Sequence, residues 1–279
     1  MRLFCAMLIM AAVVGCGPIP AGEPNSKLII TPTSIGKALP TPAIPLSQVK
    51  GLLGDTPKND AETLKIYAQS FANLVFKTEW GGPNEYIRKW NESPVYYRFD
   101  DDIQNDQKAA ARKAFNMVSE LIGIEIEKAD RIKGHIRIAT GAEWEIRAGC
   151  AGTFDEIGES HRIKGKIFYQ FYPKGFVSDG TIRYGMMIWG REAVEYGAPL
   201  DVCAIEELSQ MFGILAESEL VKYSKWRDKP ADKAKSLTVH DGIILRTLYD
   251  NRIKPGMHKD QAMPIVRMII KELLEELNK

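Results

Sequence analysis

Two adjacent carboxylates and a side-chain amide stand close together in the stretch CAIEELSQMFGI, residues 203–214. The stretch is typical of a helix, and residues four apart lie on one helix face. Glu206 and Gln210 therefore point the same way, with Glu207 about 100° around the axis. The alternative is an ordinary amphipathic helix whose carboxylates are solvated or hydrogen-bonded within the fold. Its buried stripe would then consist of Ala204, Leu208, Met211, Phe212 and Leu215.

The spacing from Glu206 to Gly213 is that of the zinc-protease motif H-E-x-x-H-x-x-G, with both histidines replaced. In the extended motif three side chains bind zinc, and here those positions hold Glu206, Gln210 and Ala216. Alanine cannot ligate and an amide is a weak ligand, so we expect no zinc site and no cofactor. Glu207 keeps the position of the general base. One alternative stays open, a hydrolase in which Glu207 works with a hard divalent ion such as Mg²⁺ or Ca²⁺ held by Glu206 and Gln210.

Other catalytic and nucleic-acid-binding signals are weak. The histidines at 135, 161, 240 and 258 are scattered, and no C-x-x-C, phosphate-binding glycine loop or G-x-S-x-G elbow occurs in the sequence. His240 and Asp241 are most simply the first turn of a helix, where an acidic residue favours the exposed N–H groups. A net charge of +1 without a Lys/Arg-rich block argues against nucleic acid as a partner.

The N-terminus has the features of an exported lipoprotein. A basic start and the apolar run LFCAMLIMAAVV predict a signal peptide over residues 1–15. The tetrad VVGC looks like a bacterial lipobox, which predicts lipidation of Cys16 and attachment to the membrane through that lipid. The alternative is a plain secretory signal with an incidental cysteine. Residues 16–46 hold seven of the fifteen prolines and predict an extended tether.

Cysteine usage agrees with export. Of the four cysteines, cleavage removes Cys5 and lipidation occupies Cys16, which leaves Cys150 and Cys203. In an oxidising compartment these two are expected to form a disulfide, the alternative being two buried thiols.

The remaining chain, residues 47–279, predicts one α+β domain with a mixed sheet, two covering helices and a helical C-terminal half. Helical periodicity marks residues 59–80, 105–123, 200–212 and 236–250, and a last helix is expected to start at Pro264. Strands are predicted in SPVYYRF, IEIEKA, HIRIAT and KIFYQFYP.

The frame C-x-x-E-E-L-x-Q-x-x-G, from Cys203 to Gly213, resembles an uncharacterised family of bacterial lipoproteins that looks like a degenerate branch of the zincin (metzincin-like) metallopeptidases. KWNESPVYYRFDDD and LTVHDGIILRTLYDNRIKPGM are similar to its flanking segments. The resemblance implies a zincin-like fold and includes both Cys150 and Cys203. Where a metzincin carries its methionine turn, this chain has YSKWRD and no methionine.

Together these features predict a non-catalytic, pseudo-protease binding module in the cell envelope. Its expected partner is an envelope protein, peptide or glycan, and the predicted binding residues are Glu206 and Gln210. Gly17 follows the lipidated cysteine, and by resemblance to bacterial sorting rules the absence of Asp there favours the outer membrane, facing the periplasm.

Overall fold

The structure is a computed structural model that describes residues 39–40, 42, 44–78, 84–129, 135–141, 150–155, 179–190, 199–227 and 234–279. The predicted signal peptide, Cys16 and the strand KIFYQFYP lie outside these residues. The helices are α1 (Ala61–Val75), α2 (Asn105–Ile122), α3 (Leu200–Gln210), α4 (Val239–Tyr249) and α5 (Lys259–Leu277). The strands are β1 (Val95–Phe99), β2 (Ile126–Lys128), β3 (Ile136–Gly141), β4 (Cys150–Asp155) and β5 (Tyr184–Gly190).

The five strands form one sheet in the order β2-β1-β3-β5-β4. The first four strands in this order run parallel, and β4 pairs antiparallel with β5. Parallel neighbours require crossover connections, and α2 supplies the one between β1 and β2. The predicted α+β class with a mixed sheet is confirmed.

Helix α2 lies on the core face of this sheet. Its apolar stripe is buried, and Phe115 stacks on Tyr97 of β1 with ring centroids 4.4 Å apart. Gly123 ends the helix at φ 75°, the left-handed conformation that glycine adopts at little cost. A side chain there would also meet the backbone of Pro40 and Pro42 within 3.0 Å.

The other covering helix is α3, which contacts α2 and β4, whereas α1 packs on α5 and α4. Helix α4 is buried on every side, because α1, α2 and α5 all contact it. The helix α5 begins at Lys259 with His258 as its N-cap, so the predicted start at Pro264 is wrong. Pro264 has no backbone N–H, so the carbonyl of Asp260, four residues earlier, lacks its helical hydrogen bond. Because Asp260 is exposed, that carbonyl can bond water instead.

The folded body includes the end of the predicted tether. Leu39 and Leu46 are buried in the core. Arg246 donates to the Ile44 carbonyl at 2.7 Å, and the Leu46 N–H donates to Glu276 at 2.8 Å. Packing therefore starts before residue 47, the predicted boundary.

Within the described residues, no helix combines the length and apolar character that a bilayer crossing needs.

Candidate functional site

Helix α3 carries the predicted site residues and is held on its apolar side. Ala204, Ile205 and Leu208 are buried, whereas Glu206, Glu207 and Gln210 are half-buried. Of the predicted stripe, Met211 and Phe212 are buried as well, and Leu215 is half-buried. The amphipathic pattern thus predicted the inward face, and the three polar residues lie on the partly accessible side.

Cys203 on α3 and Cys150 on β4 lie at disulfide-bonding distance, with Cα atoms 6.2 Å apart. This separation falls within the usual range for bonded cysteines. The pair ties the helix that carries Glu206 to the antiparallel strand β4. A disulfide between them would fix α3 relative to the sheet.

The Glu206 carboxylate is paired with a buried cation. Lys225 Nζ lies 2.9 Å from Glu206 Oε2, and the exposed fractions of the two side chains are 0% for Lys225 and 16% for Glu206. A desolvated charge is tolerated only with a partner, so this bond satisfies the lysine as well as the glutamate. The position that corresponds to the first zinc ligand is therefore already bound to a cation, the ammonium group of Lys225.

The segment Ser224–Arg227 places that ammonium group, and Asp241 on α4 holds the segment. Asp241 accepts from Ser224 Oγ at 2.6 Å and from the Lys225 N–H at 2.8 Å. It also accepts from the N–H and hydroxyl of Thr238, which closes the capping box of α4. Burial alone would raise the pKa of Asp241, but its hydrogen bonds with His240, Ser224 and Lys225 outweigh burial and hold the pKa below its usual value.

Trp226, the next residue, lies against α3. Its indole N–H donates to Ser209 Oγ at 2.9 Å, and Ser209 in turn donates to the Glu206 carbonyl at 3.0 Å. Trp226 is fully buried. The stretch YSKWRD, predicted to stand in place of the methionine turn, thus supplies a large buried side chain that contacts α3, and Lys225 beside it reaches Glu206.

Gly213 makes the turn after α3. Its φ is 102°, and an added Cβ would come within 2.2 Å of the Arg88 carbonyl oxygen. Only glycine fits a positive φ with so close a backbone approach. The following residues Leu215 and Ala216 donate to the Leu74 carbonyl at the end of α1, at 2.8 and 3.2 Å. The glycine of the EELxQ frame is therefore required by backbone geometry.

A second row of polar residues has the connectivity of a catalytic triad. His240 Nε2 lies 3.0 Å from Ser70 Oγ, and His240 Nδ1 lies 3.1 Å from Asp241 Oδ1. All three side chains are buried, with at most 4% of their surface exposed. A substrate cannot reach Ser70, so we assign the row to holding α1 against α4. His240 is connected to Glu206 through Asp241, which accepts from the Lys225 N–H, and through the Lys225 ammonium group, which binds Glu206.

The residues at the ligand positions do not fit a zinc ion. Glu206 is bound to Lys225, Gln210 offers an amide, and Ala216 is a buried methyl. Among the described residues no three His, Cys, Asp or Glu side chains are arranged to hold a metal ion. Glu207 is half-buried on the next face of α3.

Sequence reasoning missed Lys225, Asp241 and Ser209 as partners of this site. Nothing in the spacing predicts that a lysine nineteen positions after Glu206 returns to it. A usable signal was the lysine next to the tryptophan in YSKWRD, since a lysine that is buried together with a neighbouring tryptophan must be paired.

Comparison with known proteins identifies a family but no activity. A search of curated proteins gives no match. The family described as "Protein of unknown function (DUF2927)" matches residues 65–268, which include all five helices in whole or in part and the whole sheet. Since this match covers well over half of the 279 residues, the chain belongs to the DUF2927 family.

Proposed function

We propose that this protein is a lipid-anchored lipoprotein of the bacterial cell envelope whose zincin-like domain binds a partner without metal catalysis. The observation that carries the proposal is the Glu206–Lys225 pair. A metal ion would compete with the ammonium group for the Glu206 carboxylate, and displacing that group would leave Lys225 buried and unpaired. Such a loss is several kcal/mol in comparable buried pairs, and Gln210 with Ala216 offers little to offset it.

The zincin-like ancestry is supported by three features around α3. A mixed sheet precedes the EELxQ helix, Gly213 turns the chain at its end, and Trp226 lies against it. These features agree with the fold that the resemblance implies. In this proposal the surface around Glu206, Glu207 and Gln210 contacts an envelope protein, peptide or glycan.

The metal-free part of the proposal is tested with the purified full chain, metal analysis and turnover assays. We expect far less than one Zn²⁺, Mg²⁺ or Ca²⁺ per chain, and no turnover of peptide or glycan substrates that depends on Glu207. Glu206→Ala and Glu207→Gln are compared with Glu275→Ala, an exposed glutamate on α5. A stoichiometric metal lost only in Glu206→Ala, or turnover lost only in Glu207→Gln, would establish the hydrolase alternative instead.

The lipid anchor is tested separately. The VVGC tetrad and the proline-rich stretch after it support lipidation at Cys16. Wild-type protein is expected to incorporate labelled fatty acid and to fractionate with the outer membrane. Cys16→Ser should lose both properties, whereas Cys5→Ser should lose neither. Equal labelling of the Cys16→Ser and wild-type chains would overturn the anchor.

A further inference from the structure

A polar groove lies at the far edge of the sheet from β4. It has a volume of about 480 Å³ and runs between the carboxyl ends of β1 and β2 and the first turns of α2. The carboxyl ends of parallel strands are where open sheets commonly bind ligands. The residues that line it are Arg98, Phe99, Asp100, Asp101, Asn105, Lys108, Arg112, Lys128 and Ala129.

Helix α2 presents its polar face to this groove. Asn105, Lys108 and Arg112 line it and are three and four residues apart, so they project from one side of the helix. The Arg112 guanidinium lies over the Phe99 ring, 5.6 Å from its centroid, which orients it from below. Lys128 completes the wall from β2.

The charge in the groove is positive. Four basic residues and two acidic residues line it. Asp100 is already bound by Arg137 through three hydrogen bonds of 2.6 to 3.1 Å. Arg137 is not one of the lining residues, so it largely neutralises the charge of Asp100 without involving any of the four basic residues of the groove. Asp101 is the other acidic residue of the lining.

We propose that this groove binds a phosphate group. Arginine and lysine side chains that converge on one cavity match the several oxygen acceptors of a phosphate, and arginine adds a bidentate donor pair. The site goes beyond the proposed function, because it involves none of the α3 residues and lies at the opposite edge of the sheet.

The test uses the full chain and two probes, glycerol 1-phosphate in solution and vesicles of phosphatidylglycerol compared with phosphatidylcholine. The Lys108→Ala/Lys128→Ala variant is compared with Lys65→Ala/Lys271→Ala, which removes the same charge from exposed positions on α1 and α5. We expect saturable binding of glycerol 1-phosphate that weakens at least about tenfold in the first variant and is unchanged in the second.

The two probes separate the sources of the phosphate. If only the excess binding to phosphatidylglycerol vesicles is lost in the Lys108/Lys128 variant, the groove binds phosphate in lipid headgroups. If both double variants lose binding equally, or if neither probe binds saturably, the groove is not a phosphate site. Circular dichroism of each variant confirms that α2 is intact.

Discussion

Two buried lysines, Lys225 and Lys89, occupy different chemical surroundings in this fold. The side chain of Lys225 is bonded to the Glu206 carboxylate. Lys89 is 1% exposed and donates to the backbone carbonyls of Leu248 and Ile253 at 2.8 and 3.1 Å. Its ammonium also lies 4.8 Å from the centroid of the Tyr249 ring. Among the described residues no carboxylate lies within ion-pair distance of Lys89.

The two surroundings imply different roles. Lys89 satisfies carbonyl groups at the end of α4, where a cation is favoured by the helix dipole. Burial, and to a smaller extent the charge of Lys254, lower the pKa of Lys89 to about 7. Lys225 instead neutralises the Glu206 carboxylate on α3. The two lysines are thus distinguished by their partners, backbone carbonyls for Lys89 and a carboxylate for Lys225, rather than by their burial.

The largest expected effect concerns the proposed disulfide between Cys150 and Cys203. Cys203 lies on α3, the helix that also carries Glu206, the partner of Lys225. Replacing Cys150 and Cys203 by serine removes a cross-link between residues 53 positions apart. We expect a loss of about 4 kcal/mol in the free energy of unfolding, measured by urea denaturation. Adding reductant to wild type should reproduce the loss and should leave the serine variant unchanged. If wild type without reductant and the serine variant were equally stable, the two cysteines would not form a stabilising cross-link between β4 and α3.

Asp241 supports Lys225 and has no counterpart near Lys89. Asp241→Asn keeps the shape but replaces a buried acceptor that binds Ser224 and Lys225, so we expect a loss of about 3 kcal/mol at neutral pH. Asp250→Asn at the opposite end of α4 is the control, since that carboxylate pairs with the half-exposed Arg252 and should cost less.

The same variant has a pH signature. The folded pKa of Asp241 is below its unfolded value of 3.8, so its contribution is present above pH 3.8 and is lost as pH falls through the folded pKa. Wild type should therefore lose stability faster than Asp241→Asn below about pH 4. Parallel acid-unfolding curves would show that the carboxylate is not stabilised by this network.

Lys89 gives the smallest expected effect, and its pH dependence has the same sign as that of Asp241 but falls in a higher pH range. Its folded pKa of about 7 is below the unfolded value of 10.5, so burial opposes folding while the amine is charged and is relieved as pH rises from 7 toward 10.5. Wild type should gain roughly 2 kcal/mol relative to Lys89→Met between pH 7 and 9, measured by urea denaturation. A gain of the same size in Lys89→Met would exclude this lysine as its source.

Local periodicity predicted most of the fold. The stripes of α1, α2 and α3 and the alternation in β3 follow from burial of one face, which the sequence displays directly, whereas β1 was predicted from its aromatic and β-branched residues. The start of α5 was misplaced, because Pro264 is favoured in a first turn but is also tolerated a turn later where the opposite carbonyl is exposed.

The site could be predicted only in part. Glu206, Glu207 and Gln210 were identified because their spacing is local to one helix. Their partners come from distant segments, since Lys225, Asp241 and Ser209 meet through tertiary packing that no local pattern encodes. Ser70 could not be predicted for the same reason, because it meets His240 only in the folded chain. Its burial then shows that the arrangement of Ser70, His240 and Asp241 is structural.

The central claim, that the Glu206 carboxylate is bound by the buried Lys225 ammonium group, is tested most directly by a double-mutant cycle. Lys225→Met, Glu206→Gln and the double variant are compared with wild type by urea denaturation. We predict a coupling free energy of about 2 kcal/mol, whereas the exposed pair Lys113–Asp201 should give less than about 1 kcal/mol in a parallel cycle. A coupling of Glu206 with Lys225 no larger than that of the exposed pair would contradict the account.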